Sequence, residues 1–161
     1  MNIDKLILCA TKNKVSAAKE AYRAIKAELL LNQSSKNPKP EGKIVNTITF
    51  AREGKDSFKV EINELDLSII KKQIQIREEQ ISMYDANSRK DLADMYREQM
   101  NYLKELLPPE ISKEKIQEAV VTAYPNGYTQ KEMGKVIKEI KAIYPTADGK
   151  LISNIVKEHI I

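Results

Sequence analysis

Apolar residues recur every three or four positions along most of the chain, which predicts a mostly helical protein. The first helix is predicted over residues 3–11 and the second over about 15–32. In the second helix, the side chains expected to share the buried face are those of Ala18, Tyr22, Ile25 and Leu29.

The helical period stops after the second helix. Residues 32–43 combine two prolines and a glycine with polar side chains, which indicates a loop. Two runs rich in Ile, Val, Thr and Phe follow, and they predict a β-hairpin with strands near residues 44–51 and 57–62. Because an isolated hairpin is only marginally stable, this one either lies on the helices or is mobile.

The apolar stripes of the third and fourth helices are each interrupted once, at Arg77 and at Gln99. Asn63 is expected to cap the third helix, with Asp66 at the third helical position. The short connection "DANS" requires the two helices to pack antiparallel. Long helical side chains lean toward the N-terminus of their helix, so we expect Arg77 to reach Gln99, with a carboxylate elsewhere as a second partner. Arg23 also lies next to an apolar stripe, and we interpret it as a further member of this structural polar core.

The stretch "LLPPEIS" ends the fourth helix and predicts a linker at Leu107–Ser112. Three helices follow, each too short to be stable alone, so residues 112–161 are predicted to form a compact domain. Their predicted N-terminal capping residues are Ser112, Thr129 (with Glu132) and Asp148. The predicted fold is all-α, with an N-terminal antiparallel helical bundle over 1–107, a possible β-hairpin insertion at 33–62, and this C-terminal three-helix domain.

The residue inventory excludes several kinds of active site. The chain has one cysteine, one histidine and five glycines, without the spacing of a zinc site or a phosphate-binding loop. We therefore predict no catalytic residue, no metal and no cofactor. No apolar run is long enough to cross a membrane, and the lone Cys9, expected to be a buried thiol, is typical of a reducing, cytoplasmic setting.

The net charge of +4 and the pI near 9.0 permit a nucleic-acid partner. They do not require one, because no segment carries a dense basic run. Charge alone is therefore a weak indication of RNA binding.

Four segments, taken in order, resemble the GatB/YqeY family. They are "AYRAIKAEL" at 21–29, "RKDLADMYREQMNYLKELLPPEIS" at 89–112, "KEMGKVIKEI" at 131–140 and "ADGKLISNIVKE" at 147–158. The likeness covers nearly the whole chain except about 33–62, which looks like an insertion.

The resemblance implies a two-part helical protein without the catalytic part of a tRNA-dependent amidotransferase. In the B subunit of those enzymes, the same module forms a tail that contacts tRNA. For members of the family that stand alone, the resemblance implies no particular activity. Two departures stand out. The family pattern has Gly-Arg where this chain has Pro145-Thr146, and relatives often have Glu at the position of Gln99.

Lys131, Lys135 and Lys138 are predicted to share one face of a helix, and Lys150 follows at the start of the last helix. A lysine face is ordinarily a solvated surface, while the resemblance favours contact with RNA phosphates. Both interpretations stay open on the sequence.

Asp148-Gly149-Lys150 allows two interpretations. A helix N-terminus can bind phosphate, but Asp148 as the capping residue would occupy the free N–H groups and repel an anion. We therefore favour a capping and packing role, in which Gly149 allows a tight approach to the preceding helix through Gly134.

Three functions follow as hypotheses. The first is a non-catalytic tRNA-binding accessory module, acting alone or beside an aminoacylation or amidotransfer enzyme. The second is a protein-interaction module that docks a partner through the hairpin or the bundle. The third is a component of an enzyme that transfers an amide from glutamine, which the missing catalytic constellation disfavours.

Overall fold

The computed structural model describes residues 1–52, 55–144 and 146–161. These residues form two compact units, Met1–Leu107 (unit 1) and Pro108–Ile161 (unit 2). The elements, in chain order, are α1 (Ile3–Lys12), α2 (Ser16–Gln33), β1 (Ile44–Arg52), β2 (Lys55–Asn63), α3 (Glu64–Ala86), α4 (Lys90–Lys104), α5 (Lys113–Ala123), α6 (Met133–Ile143) and α7 (Gly149–Glu158). The prediction of an all-α protein with a hairpin insertion is confirmed, and no described helix is long and apolar enough to span a membrane.

The core of unit 1 lies among α1, α2, α3 and α4. α2 packs against both α3 and α4, which pack antiparallel on each other. The largest side chains fully enclosed there are Leu6, Ile25, Ile62, Ile70, Leu103 and Leu106. Each helix presents one apolar stripe, so burying these stripes supplies most of the free energy that stabilises the bundle.

α3 begins where the sequence predicts. The Asn63 side chain accepts the N–H of Asp66 at 2.8 Å, and the Asp66 carboxylate accepts the N–H of Asn63 at 3.1 Å. This reciprocal capping box satisfies two of the N–H groups that a helix start leaves open. Asn63 is also the last residue of β2, so strand and helix join without a loop.

The hairpin lies on the helices. Its strands pair antiparallel, and alternate side chains on its inner face join the core, with Val60 and Ile62 fully buried. Phe50 and Phe58 stack with ring centroids 5.5 Å apart, and the Asn46 amide donates to the Leu106 carbonyl. The alternative of a mobile hairpin is therefore wrong for the described strands, whereas Glu53 and Gly54, in the segment between the two predicted strands, lie outside the described residues.

Unit 2 has its own core. Tyr128, from the segment between α5 and α6, is buried in this core. The helices contribute the buried side chains of Ile116, Val120, Val136, Ile140, Ile152, Ile155 and Val156. The Tyr128 hydroxyl donates to the carbonyl of Val156, which ties that segment to α7. The N–H and the hydroxyl of Thr129 both donate to the Glu132 carboxylate, at 3.0 and 2.9 Å. These bonds form a turn, so α6 begins at Met133, later than predicted.

Candidate nucleic-acid interface

The exposed face of α6 is basic because its apolar residues point the other way. Val136 and Ile140 are fully buried, while Lys135, Lys138 and Lys141 are exposed. On a helix, positions 135 and 138 are neighbours, and Lys141 extends the same surface by one further turn. Lys141 is not among the residues predicted to contact RNA, although its spacing of three residues from Lys138 indicates that it shares this surface.

Lys131 does not lie on α6. It is exposed in the turn that the Thr129–Glu132 bonds form before the helix. Lys131, Lys135 and Lys138 are predicted to share one helical face. This is wrong for Lys131, because the bonds between Thr129 and Glu132 form a turn and α6 begins only at Met133. Lys150 is exposed in the first turn of α7, which packs against α6. We call Lys131, Lys135, Lys138 and Lys150 the lysine set.

Three members of the lysine set carry no ion pair within the described part of the chain: Lys131, Lys138 and Lys150. The fourth, Lys135, is 73% exposed and lies 3.9 Å from Glu139, whose carboxylate also accepts the Tyr124 hydroxyl. Such an exposed pair contributes little to stability and exchanges readily for another anion. The ammonium groups are thus available to an anionic partner.

Asp148 occupies the N-terminus of α7. Its carboxylate accepts the N–H of Lys150 at 2.9 Å, and its backbone is extended, as expected for a capping residue. A phosphate bound there would compete with this carboxylate and would be repelled by it. The geometry therefore favours the cap over a phosphate-binding helix start.

The predicted packing of Gly149 against Gly134 is wrong. A methyl group added at either glycine would meet no atom within 4 Å among the described residues, so neither position is a close approach of two helices. Both glycines lie on exposed faces of their helices. Glycine in a helix costs about 0.5–1 kcal/mol relative to alanine, and packing within unit 2 does not explain that cost.

Arg77, Gln73 and Gln99 form a buried polar cluster in unit 1, with exposed fractions of 5%, 6% and 7%. The Arg77 Nε–H donates to Gln99 Oε1 at 3.2 Å, and Nη1 donates to the Gln73 carbonyl and Oε1 at 3.0 and 2.8 Å. The expected carboxylate partner is not found among the described residues, and a second amide takes its place. Burial without a counter-ion lowers the pKa of the Arg77 guanidinium.

Arg23 is not part of this cluster. Its side chain is 55% exposed and donates to Glu20 at 3.3 Å on the same helix. Tyr22 is buried, and the next residue of a helix points about 100° away, so Arg23 faces solvent. Its assignment to the polar core is wrong.

A family model described as a Yqey-like protein matches residues 2–160 of the chain. The chain belongs to the YqeY-like family. The resemblance found in the motifs is thus confirmed, and the matched range includes the hairpin. A search of curated proteins found no match.

The chemistry of this YqeY-like chain offers few reactive groups. No group of three His, Cys, Asp or Glu side chains suited to a metal ion occurs within residues 1–52, 55–144 and 146–161. Cys9, expected to be a buried thiol, is only half-buried, whereas Ile3, Leu6 and Ala10 form the buried face of α1. Of the family departures, Pro145 lies outside the described residues, and Gln99 accounts for the missing counter-ion of Arg77.

Proposed function

We propose that this YqeY-like protein is a non-catalytic RNA-binding module that contacts tRNA phosphates through the lysine set of unit 2. The observation that carries the proposal is the exposure of Lys131, Lys138 and Lys150 without an ion pair among the described residues. The family resemblance supports it, because the same module contacts tRNA when it forms the tail of an amidotransferase subunit.

The charge of the exposed face of α6 supports an anionic partner better than the average charge of unit 2 does. The exposed face of α6 carries Lys135, Lys138 and Lys141 against one acid, Glu139. Gly134 lies beside them on the same exposed side, where the missing side chain lets a sugar–phosphate backbone approach the helix closely. Contacts of this kind position an RNA without reading its sequence.

The affinity follows from counterion release. Each phosphate contact contributes about 0.7–0.9 to the slope of log affinity against log salt, so four contacts give a slope of about −3 to −4. With a whole-chain charge of only +4, we expect a Kd of micromolar order or weaker near physiological salt. A filter-binding titration with total tRNA at several salt concentrations measures both quantities.

Two matched double variants separate local contacts from bulk charge. Lys135→Glu with Lys138→Glu, and Lys115→Glu with Lys157→Glu, each lower the net charge from +4 to zero, and all four lysines are exposed in unit 2. We expect the first pair to abolish retention of tRNA and the second to leave most of it, with helical content unchanged in both. Equal losses in the two variants, or parent binding that salt does not weaken, would contradict the proposal.

The principal alternative is docking of a protein partner through the hairpin. Its outer face carries Thr47, Thr49, Lys59 and Glu61, all exposed, on a sheet of only two strands. A partner retained after ribonuclease treatment, together with salt-insensitive RNA binding, would favour that function. Turnover of a glutamine-dependent amide transfer by the protein alone would favour the third hypothesis.

A further inference from the structure

Unit 1 contains a cavity of about 200 Å³ between α1, α2, β1 and α4. Its apolar lining comes from Leu6, Ala10, Val15, Ala18 and Phe50. Its polar lining comes from Cys9, Asn13, Tyr22, Tyr102 and Glu105, the last two at the end of α4. The cavity is therefore amphipathic, and these groups are not part of the lysine set or of the buried polar cluster.

Tyr22 is the most buried of the polar groups. Its side chain lines the cavity, the residue is only 4% exposed, and its hydroxyl forms no hydrogen bond with a described residue. No described side-chain polar atom is both buried and without a partner, so solvent reaches this hydroxyl, and a ligand in the cavity can bond to it in place of water. Burial, followed by the nearby acidic groups of Glu105, Tyr102 and Cys9, raises the pKa of Tyr22 to about 12. Glu105, Tyr102 and Cys9 therefore lie near the Tyr22 hydroxyl.

Glu105 gives the cavity a negative charge. It is the C-capping residue of α4, where the helix dipole already places partial negative charge, and it forms no ion pair with any described residue. A carboxylate at this end of a helix is unfavourable unless a cation offsets it. The neighbouring Lys104 is exposed but does not line the cavity.

The volume limits the occupant. A cavity of about 150 Å³ holds benzene, and drug-sized ligands occupy about 300–1,000 Å³. At about 200 Å³, this cavity encloses no more than one ring or a short alkyl chain with a polar end, and a nucleotide would extend well beyond it.

We propose that this cavity binds a small primary ammonium ion carried on a single apolar ring or short chain. The stem packs against Leu6, Val15 and Phe50. The ammonium group donates hydrogen bonds to the Glu105 carboxylate and to the Tyr22 hydroxyl, two of the acceptors that line the cavity.

Benzylamine is a suitable probe, and Cys9 is a built-in reporter. Cys9 lines the cavity and is the only cysteine of the chain, so the rate of its alkylation by iodoacetamide reports occupancy. We expect saturable protection with a Kd on the order of a millimolar, the range for a ligand of about eight non-hydrogen atoms. Benzyl alcohol and benzoate should protect at least about tenfold less well, because neither brings a cation to Glu105.

Two conservative variants on α4 test the role of the carboxylate. Glu105→Gln should remove the preference for benzylamine over benzyl alcohol, while Glu98→Gln, exposed on the same helix and outside the cavity, should keep it. Tyr22→Phe should weaken benzylamine by several-fold without reversing the preference. Equal protection by the amine and the alcohol in the parent, no saturation at tenfold the expected Kd, or unchanged selectivity in Glu105→Gln would each overturn the proposal.

Discussion

Arg77 donates to Gln99 at 3.2 Å between α3 and α4, so a buried positive charge is met by a neutral amide. Gln73 supplies two more acceptors from the preceding turn of α3. Buried charges are usually paired with an opposite charge, because removing an ion from water is costly. Among the described residues, only amide oxygens accept hydrogen bonds from Arg77 in place of an anion. Substituting either Arg77 or Gln99 should therefore change the stability of unit 1.

Replacing Arg77 by Ala should destabilise unit 1 by roughly 1–3 kcal/mol. The variant loses the packing of the aliphatic stem and leaves the side-chain oxygens of Gln99 and Gln73 without the Arg77 donor. Urea unfolding followed by circular dichroism measures the change. A variant that unfolds like the parent would show that the cluster contributes nothing to stability.

Gln99→Glu should stabilise unit 1 by about 1–2 kcal/mol at pH 7, because it places a counter-ion at the position of the present acceptor. The new carboxylate should have a depressed pKa in the folded state. Its contribution is then present above the unfolded pKa of about 4.3 and is lost as pH falls through the lower folded pKa. Unfolding at pH 7 and at pH 3 measures this, and a variant less stable than the parent at pH 7 would contradict it.

Gly134→Ala should stabilise unit 2 by about 0.5–1 kcal/mol, since a methyl group there meets open space and favours the helix. If RNA approaches α6 at this point, the same variant binds tRNA less well while melting at a higher temperature. Gly42→Ala is the contrasting variant. Gly42 has φ +74° and an added methyl group would collide with the Glu64 side chain, so this substitution should destabilise unit 1.

Tyr22 should make the stability of unit 1 fall between pH 10 and pH 12. Its pKa is raised from 10.0 to about 12, first by burial and then by Glu105. Below pH 10 the folded and unfolded states both hold the proton. Above it the unfolded state loses the proton first, so unfolding releases a proton and stability falls with pH, by roughly 2–3 kcal/mol at most.

The measurement is urea unfolding at several pH values between 9 and 12, with Tyr22→Phe beside the parent. The variant should show a shallower decline. Tyr144→Phe, in unit 2, is the control and should keep the parent's decline in unit 1. A parent and a Tyr22→Phe variant with the same pH dependence would show that Tyr22 titrates normally.

The features that follow from local period and capping could be predicted from the sequence. The faces of α2, α3 and α6 repeat their apolar residues, and the Asn63–Asp66 capping box depends on residues three apart. The reach of Arg77 to Gln99 also followed from helix geometry and a short connection.

Features that depend on what lies opposite a residue could not be predicted in this way. Arg23 stands beside Tyr22 in sequence, but one helical step turns it to solvent. Glycine at positions 134 and 149 is compatible with a close helix contact, but the sequence does not show whether another helix approaches these positions. The cavity at Tyr22 and Glu105 combines α1, α2, β1 and α4, and no local pattern joins these distant segments.

The direct junction of β2 and α3 at Asn63 links two kinds of register. A strand repeats every two residues and a helix every 3.6, so inserting or deleting one residue in β2 is felt by both elements. Such a change turns the strand's inner face outward unless the junction shifts instead. If the junction shifts by one residue, α3 rotates by about 100° relative to its neighbours and Arg77 leaves the interface with α4. The length of β2 thereby determines which face of α3 packs against α4. We infer that insertions and deletions are tolerated far better in the loop before β1 than in β2.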